Sequence, residues 1–532
     1  MRQLVLLSSI GLAVVALASA SADQSDGGVW SEFRNGGSSQ AASVLPMYWS
    51  PTERLAWQRE LPGYGQSSPV IHRGKVYLTA VEGPMKEACL VICLELQSGD
   101  PLWIHRLDAG NLSPSNYMNS RAAPTPVVDD RAVYVFFESG DLLAINHHGD
   151  ALWHRNLAND YGAFENNHGL GTSPTQNEEY VFLNIQHDGP SHLIALSKRT
   201  GQTVWKAVRA SAKSWTSPIV IDLEGRQAVV VSSAGTVDAY DASTGETIWS
   251  FDQLSGNTVP SPVAIDGRLY IGARPPEFAS DRHGARSNLC LDMMSLEDGQ
   301  PAVLWRAHRA ICDYASPVIA GDHVYLISRV GVVYCLDRHT GQMHYAQRLG
   351  TECWATPIVA SGYVYFFGKD GNTVIVRSGP EFEVVASNRL WNADDPPAPE
   401  TYVEHHGQQG TSGSHGASHG AEAPEHGGPP GARQADGGPG SRLLARLMKY
   451  DADGDGMLSE DELPPEIREI MEYVDTNRDG RLDADEIRAM AESFAARRAD
   501  SQSSSRDPIV YGVAAAEGAI VIRTGTRVYA VR

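Results

Sequence analysis

Two twelve-residue stretches, 451–462 and 475–486, carry oxygen-bearing side chains at the spacing a divalent cation requires. In the first, Asp451, Asp453 and Asp455 hold positions one, three and five, Ser459 position nine and Glu462 position twelve. In the second, Asp475, Asn477, Asp479, Asp483 and Glu486 take the same places. Calcium accepts about seven hard oxygens at about 2.3–2.6 Å, so the short carboxylates wrap one side of the ion and the terminal glutamate closes the other with both oxygens. Met457 and Arg481, at position seven, contribute backbone carbonyls, so their side chains are free to vary. Gly456 and Gly480 allow the sharp turn at position six. Two calcium sites are expected.

The elements around these loops fit that purpose. Apolar residues at helical spacing precede the first loop (Leu443, Leu444, Leu447, Met448), separate the two (Ile467, Ile470, Met471, Val474) and follow the second (Ile487, Met490, Phe494). Two complete patterns flanked by amphipathic helices exclude an accidental acidic surface loop, and the module at 441–499 is identified as an EF-hand pair. Leu458 and Leu482, at position eight, should join the loops through a short strand contact. The loops begin closer together than in most such pairs, which argues against sensor-style opening. Between Ala393 and Asp500 acidic residues outnumber basic ones 23 to 10, so the acidity of the chain belongs largely to this segment.

Ahead of the module, residues 393–440 are rich in Pro, Gly, Ser and His and cannot bury enough surface to offset ordering. His405, His406, His415, His419 and His426 are expected to be part of a solvated linker rather than a transition-metal site.

The rest of the chain repeats. A Ser or Thr before Pro starts each unit: Ser68-Pro69, Thr125-Pro126, Ser173-Pro174, Ser217-Pro218, Ser261-Pro262, Ser316-Pro317 and Thr356-Pro357. A Gly turn leading to an aromatic residue ends it: Gly99 and Trp103, Gly149 and Trp153, Gly201 and Trp205, Gly245 and Trp249, Gly299 and Trp305, Gly341 and Tyr345. Short alternating runs such as Lys75-Val-Tyr-Leu-Thr79 lie between. Units of about forty to fifty residues with about four short strands match propeller blades. The last unit, from Pro508, has three strands, while Leu55–Leu61 is a tail without a head. We therefore expect an all-β, eight-bladed β-propeller of four-stranded blades, its N-terminal strand closing the last blade, with the small helical EF-hand pair inserted. The propeller should span 29–391 and resume at 506–532.

The unit Ala239-Tyr-Asp241-Ala-Ser-Thr244-Gly245-Glu-Thr-Ile-Trp249 resembles the tryptophan-docking repeat of pyrroloquinoline-quinone (PQQ) type propellers. The opening Trp30-Ser-Glu-Phe-Arg-Asn-Gly and Gly171-Thr-Ser-Pro174 look like secreted bacterial PQQ-like repeat proteins related to the outer-membrane assembly propeller. The resemblance implies either a protein-binding scaffold or a quinoprotein dehydrogenase. The dehydrogenases carry a quinone, calcium, an Asp base and often an adjacent Cys-Cys pair, and this chain has no such pair. Arg121, His168, Lys213, Asn257, Asp313 and Glu352 should line the channel mouth, where Asp313 is the candidate base and Asn257 or Glu352 candidate ligands. The Trp residues read as wedges between blades, and Cys93 and Cys335 as inert core thiols. Cys312 and Cys353, ahead of Pro in consecutive blades, are the candidate disulfide.

Bulk properties limit the rest. A net charge of -21 argues against nucleic acid as a partner. Residues 1–22 read as a secretory signal peptide without a lipobox Cys, and the apolar run is too short to span a bilayer, so a periplasmic or secreted protein is expected. The favoured reading is an exported, calcium-binding, non-catalytic propeller that binds protein partners on one face, with PQQ disfavoured as a cofactor. A PQQ-dependent dehydrogenase is the alternative, and a calcium-dependent surface adhesion protein the second.

Overall fold

The computed structural model describes residues 28–115, 119–166, 168–274, 287–307, 309–398, 400–401 and 508–532, together with 447–451, 453, 455–459, 461–463, 479–484, 486–487 and 505–506. The expected signal peptide, the histidines of the linker, and most of the helical residues around the calcium loops lie outside the described residues.

Eight antiparallel sheets form an eight-bladed β-propeller. Blades two to seven are consecutive four-stranded meanders, from Val127–Val128 in blade two to Val384–Arg389 in blade seven. Blade eight has the order Gly512–Ala516, Ala519–Arg523, Arg527–Val531 and then Leu55–Glu60, so an N-terminal strand supplies its outer edge. The register puts Trp57 opposite Ala530. The closure expected from the orphan tail is therefore the one found. Blade one departs from the four-strand expectation: Val29–Trp30 adds a fifth strand beside Val70–His72, on the channel side.

The Ser/Thr-Pro heads have a common physical role. Proline follows each head residue, and the head N–H faces the channel, where no strand of the same blade can receive it. It donates instead to the hydroxyl of the next head. Ser68 N bonds Thr125 Oγ1 at 3.0 Å, Thr125 N bonds Ser173 Oγ at 3.0 Å, and Ser173 N bonds Ser217 Oγ at 2.9 Å. Ser217 N continues to Ser261 Oγ, Ser261 N to Ser316 Oγ and Ser316 N to Thr356 Oγ1, at 2.9, 3.0 and 3.0 Å. The result is a belt of hydroxyl bonds that satisfies buried donors and ties seven blades in sequence. In blade eight Gly512 takes the place beside Ser68, with so little space that an added Cβ would lie 2.3 Å from Ser68 Oγ. A glycine brings no hydroxyl, and the belt is interrupted there.

The tails lock the outside of the ring. Each Trp of an outer strand lies on the glycine turn of the following blade and donates its Nε1–H to a backbone carbonyl there. Trp57 bonds Leu96 O at 2.9 Å, Trp103 bonds His147 O at 3.1 Å, and Trp153 bonds Lys198 O at 2.9 Å. Trp205 and Trp305 do the same with Ala242 O and Arg338 O, both at 2.9 Å. These glycines are required twice over. At Gly201 φ is +70°, a region that costs L side chains about 1 kcal/mol or more, and a Cβ would sit 2.6 Å from Trp153 Cε3. The wedge role read from the sequence thus holds at five of these tryptophans. Trp249 is also wedged between blades four and five, against Leu269 and Leu291, but without the docking contacts: the turn at Gly299 meets nothing within 4 Å and Trp249 Nε1 has no partner among the described residues.

Gly201→Ala and Gly225→Ala separate the two requirements. Gly225 has φ of +81° but open space around it. We expect Gly225→Ala to cost about 1 kcal/mol from backbone strain alone, and Gly201→Ala about 1–3 kcal/mol more from overlap with the indole. Denaturant titration of the two variants checks the difference, and equal losses would remove the docking argument.

Candidate functional site

The first calcium loop is arranged around its carboxylates. Asp451, Asp453 and Glu462 each offer an oxygen, and these oxygens all lie within 4.8 Å of one another. Backbone donors orient them: Gly456 N reaches Asp451 Oδ2 at 3.1 Å, Asp455 N reaches Asp453 Oδ1 at 3.1 Å, and Met457 N reaches Asp455 Oδ1 at 2.8 Å. Ser459 donates both its N–H and its hydroxyl to Glu462 Oε2, at 2.9 and 2.8 Å, which turns the position-twelve carboxylate inward. Gly456 takes φ of +83° at the turn, as position six requires. A compact set of hard oxygens with the terminal glutamate folded over it fits calcium and no soft metal.

The second loop shows the same arrangement where it is described. Arg481 N bonds Asp479 Oδ1 at 2.9 Å, Asp483 N bonds Glu486 Oε2 at 3.1 Å, and Gly480 has φ of +82°. Asp475 and Asn477 lie outside the described residues. Leu458 pairs with Leu482 and Ser459 with Arg481 in the expected antiparallel contact, with both leucines fully buried. The Arg481 side chain crosses to the other loop and meets Asp455 Oδ2 at 2.5 Å. Sequence reasoning gave Arg481 only a carbonyl role; its position beside Ser459 in the two-strand ladder is what brings its guanidinium to Asp455.

The propeller channel is filled by the chain's own N-terminal segment. Residues 29–41 touch every blade in turn. Val29 and Trp30 pair with blade one, and Ser31 O accepts from Val128 N of blade two at 2.8 Å. Glu32 Oε2 accepts from Thr175 Oγ1 at 2.8 Å and Gln176 N at 3.2 Å in blade three. Gly37 lies against Ile219 of blade four, where a Cβ would come within 2.6 Å of Cγ2. Arg34 Nη2 donates to Pro262 O of blade five at 2.7 Å, and Gln40 Nε2 to Ile319 O of blade six at 2.5 Å. Ser39 O and Ala41 N bond the backbone of Val359 in blade seven at 3.0 and 2.9 Å. Trp30 and Phe33 border Val513 of blade eight. The sequence signal was a polar stretch with one acid and one base ahead of the first strand of the ring. It does not repeat, so the search for repeats passed over it.

Burial disturbs both charges of this plug. Loss of water pushes the Glu32 carboxyl up to about 7, against the bonds from Thr175 and Gln176 that favour its anion. The same cause brings the Arg34 guanidinium down to about 9.

The six candidates for the channel mouth do not converge on one centre; the described contacts tie each to a neighbouring loop or hairpin. The Arg121 guanidinium lies 3.7 Å from the Tyr64 ring centre, and Lys213 pairs with Asp188 at 3.1 Å. Asn257 spends its amide on Ser232 Oγ and Thr236 O and accepts from Gly235 N, so it has no free face for a metal. Asp313 Oδ2 accepts from Arg329 N at 2.8 Å, and Glu352 lies 3.5 Å from Lys369 Nζ. His168 stands over Trp215, ring centres 6.0 Å apart. The candidate disulfide is not formed, and all six cysteines are free and buried. Cys312 belongs to the apolar cluster between blades five and six and Cys353 to that between blades six and seven, so similar offsets from Pro did not make them neighbours. Burial pushes the Cys93 thiol up to about 12 and Cys335 up to about 11, as inert core residues should be.

Residues 45–189, 189–310 and 291–412 match the family described as outer membrane protein assembly factor BamB. Residues 444–463 and 467–491 match the EF hand. Among solved structures, BamB from Moraxella catarrhalis is 16% identical with a TM-score of 0.46, covering 65% of this chain and 88% of that one. A quinohemoprotein alcohol dehydrogenase from Comamonas testosteroni is 12% identical with a TM-score of 0.48, covering 72% and 76%. One from Pseudomonas putida is 13% identical with a TM-score of 0.45, covering 66% and 71%. No curated protein matches the chain. Among the described residues no helix is long and apolar enough to cross a membrane.

The raised Glu32 carboxyl makes a signed prediction. An acid with a higher pKa folded than unfolded holds its proton better in the native state between the two values, so its contribution is full below 4.5 and is lost as pH rises through about 7. That interval corresponds to roughly 3 kcal/mol. Glu32→Gln keeps an acceptor for Thr175 and Gln176 without the charge. We expect it to be more stable than the parent at pH 8 and equal to it near pH 4, as measured by denaturation at both pH values.

Proposed function

The chain belongs to the outer membrane protein assembly factor BamB family of propellers and carries EF-hand calcium-binding motifs, and on that premise we propose that it is an exported, calcium-binding, non-catalytic propeller that binds a protein partner. The observation that carries this reading is the plug. Residues 29–41 take up the channel with bonds to most of the blades; the cavity left at Trp30, Phe33 and Arg34 is about 150 Å³, too small for a fused three-ring quinone, and a second hollow of about 390 Å³ lies beside Val29, Ser31 and Glu32. A chain that spends its own residues on closing the channel leaves its loops and faces as the working surface.

In this reading calcium occupies two sites. Asp451, Asp453, Asp455, the Met457 carbonyl, Ser459 and Glu462 hold the first. Asp475, Asn477, Asp479, the Arg481 carbonyl, Asp483 and Glu486 hold the second. Such exported modules work at about 0.1–1 mM calcium, where occupancy is steady rather than switched. The EF-hand module enters between the outer strand of blade seven and the inner strand of blade eight. This is the kind of connection that bears the Ser/Thr-Pro heads elsewhere, so the module springs from the same face as the channel mouth. That face is where the partner docks. With a net charge of -21, the partner is a protein and not a nucleic acid.

Calorimetric titration of calcium and of PQQ, separately, into the purified full chain tests the proposal. We expect heat from calcium at two sites and none from PQQ. Glu462→Gln combined with Glu486→Gln should abolish the calcium heat while the far-ultraviolet spectrum and melting of the propeller stay unchanged. Stoichiometric PQQ binding would overturn the non-catalytic reading. Calcium that neither produces heat nor displaces a competitor would overturn the other half.

A further inference from the structure

The belt of hydroxyl bonds fails at blade eight, and a cavity lies at the break. Its walls include Ser68 and Thr356, the belt residues on either side, and Gly512, which replaces the missing hydroxyl. The plug contributes Trp30, Phe33 and Arg34, and the mouth loops contribute Tyr314, Trp354 and Tyr511. The volume is about 150 Å³, the size of a cavity that holds one six-membered ring. The Tyr314 and Trp354 rings, with centres 5.0 Å apart, form an aromatic wall suited to a flat ligand.

The charge around this cavity is unbalanced. Arg34 is buried and spends Nη1 and Nη2 on the Gly37 and Pro262 carbonyls, at 3.1 and 2.7 Å. Its Nε has no partner among the described residues, and neither has Trp30 Nε1. Behind Gly512, its register partner Arg523 is also fully buried and donates only to Ser67 and to Thr79 O. Neither guanidinium makes an ion pair among the described residues, although buried charges are ordinarily paired. Glu32, the acid of the plug, bonds away from them toward blade three, and burial pushes its carboxyl up to about 7. At the mouth Lys369 stands over Trp354, 5.6 Å from the ring centre, and is paired with Glu352 at 3.5 Å.

We propose that this cavity binds a small, flat monocarboxylate, with its ring against Tyr314 and Trp354 and its anionic end toward Arg34. A cation is excluded by the two buried guanidiniums, and a larger anion by the volume. The cavity lies beside the eighth head, where the otherwise regular belt is interrupted. None of the cavity's lining residues belongs to the calcium loops.

Sodium benzoate serves as the probe, with benzamide as its neutral analogue, each titrated calorimetrically into the full chain. We expect one benzoate per chain and benzamide at least about tenfold weaker, the cost of losing a charged hydrogen-bond acceptor. Arg34→Met should weaken benzoate by a similar factor. Trp354→Ala alters only a partly exposed mouth ring, so it keeps the test open if the plug variant fails to fold. It should weaken benzoate while leaving the melting temperature of the free protein close to that of the parent. No heat and no thermal shift at about 10 mM benzoate would overturn the proposal. So would benzamide binding equally well, or Trp354→Ala binding benzoate like the parent.

Discussion

A ring of blades stands or falls on what each blade does for the next. A four-stranded meander buries little by itself, and its inner and outer edges leave backbone groups without partners. Here the same two contacts recur around the ring. Near the channel a head N–H meets the next hydroxyl, as Ser173 does with Ser217. On the outside an indole lies on the next glycine turn, as Trp205 does at Gly245, where a Cβ would come within 2.5 Å of the ring. Both contacts point from one blade to its successor, and since the hydroxyl belt stops at blade eight, the outer edge must close the ring. Closure falls to Leu55–Glu60, which completes blade eight and sends Trp57 onto Gly99 of blade one.

This arrangement leaves the channel as the remaining problem. Inner strands that point donors and acceptors into a narrow bore need something to receive them. Water can do so, but here residues 29–41 do it, with a different bond to almost every blade. The segment therefore has no periodicity, since each of its residues answers a different wall. The cost is visible in Glu32 and Arg34, both shifted toward their neutral forms by loss of water. Such charges weaken the folded state against an apolar plug of equal volume, and they fix the register of the segment in return.

What was legible in the sequence follows from the same physics. The blade count was readable because most junctions use the same residues at the same places, and Trp57 without a head could only belong to a ring closed by its N-terminal strand. The calcium loops were readable because an ion imposes its spacing locally: Asp451, Asp453 and Glu462 converge within twelve residues of chain. The plug was not readable, because Arg34 and Pro262 meet across 228 residues with no pattern to announce it. Cys312 and Cys353 illustrate the limit from the other side. Their offsets from Pro are similar, yet each thiol sits in the core between a different pair of blades. Asn257 looked like a ligand by residue type, but its amide is consumed in bonding the blade-four hairpin at Ser232 and Thr236.

The place of the EF-hand module also follows from closure. An insertion inside a blade would break a meander, and one at the chain end would disturb Arg527–Val531, which must pair with Leu55–Glu60. Between the outer strand of blade seven and the inner strand of blade eight, the chain leaves and returns without removing a ladder bond. Glu400 and Thr401 pair with Arg506 and Ser505 in a two-stranded neck that brings the departing and returning chain together. Nearby, Asp395 binds Arg527 at 3.1 Å and fastens the departing chain to blade eight. With both ends fixed so close together, ordering within the module need not be transmitted to the ring. Calcium binding can then stabilise the loops through the Leu458–Leu482 contact while the propeller keeps the geometry that its belt and its indoles impose.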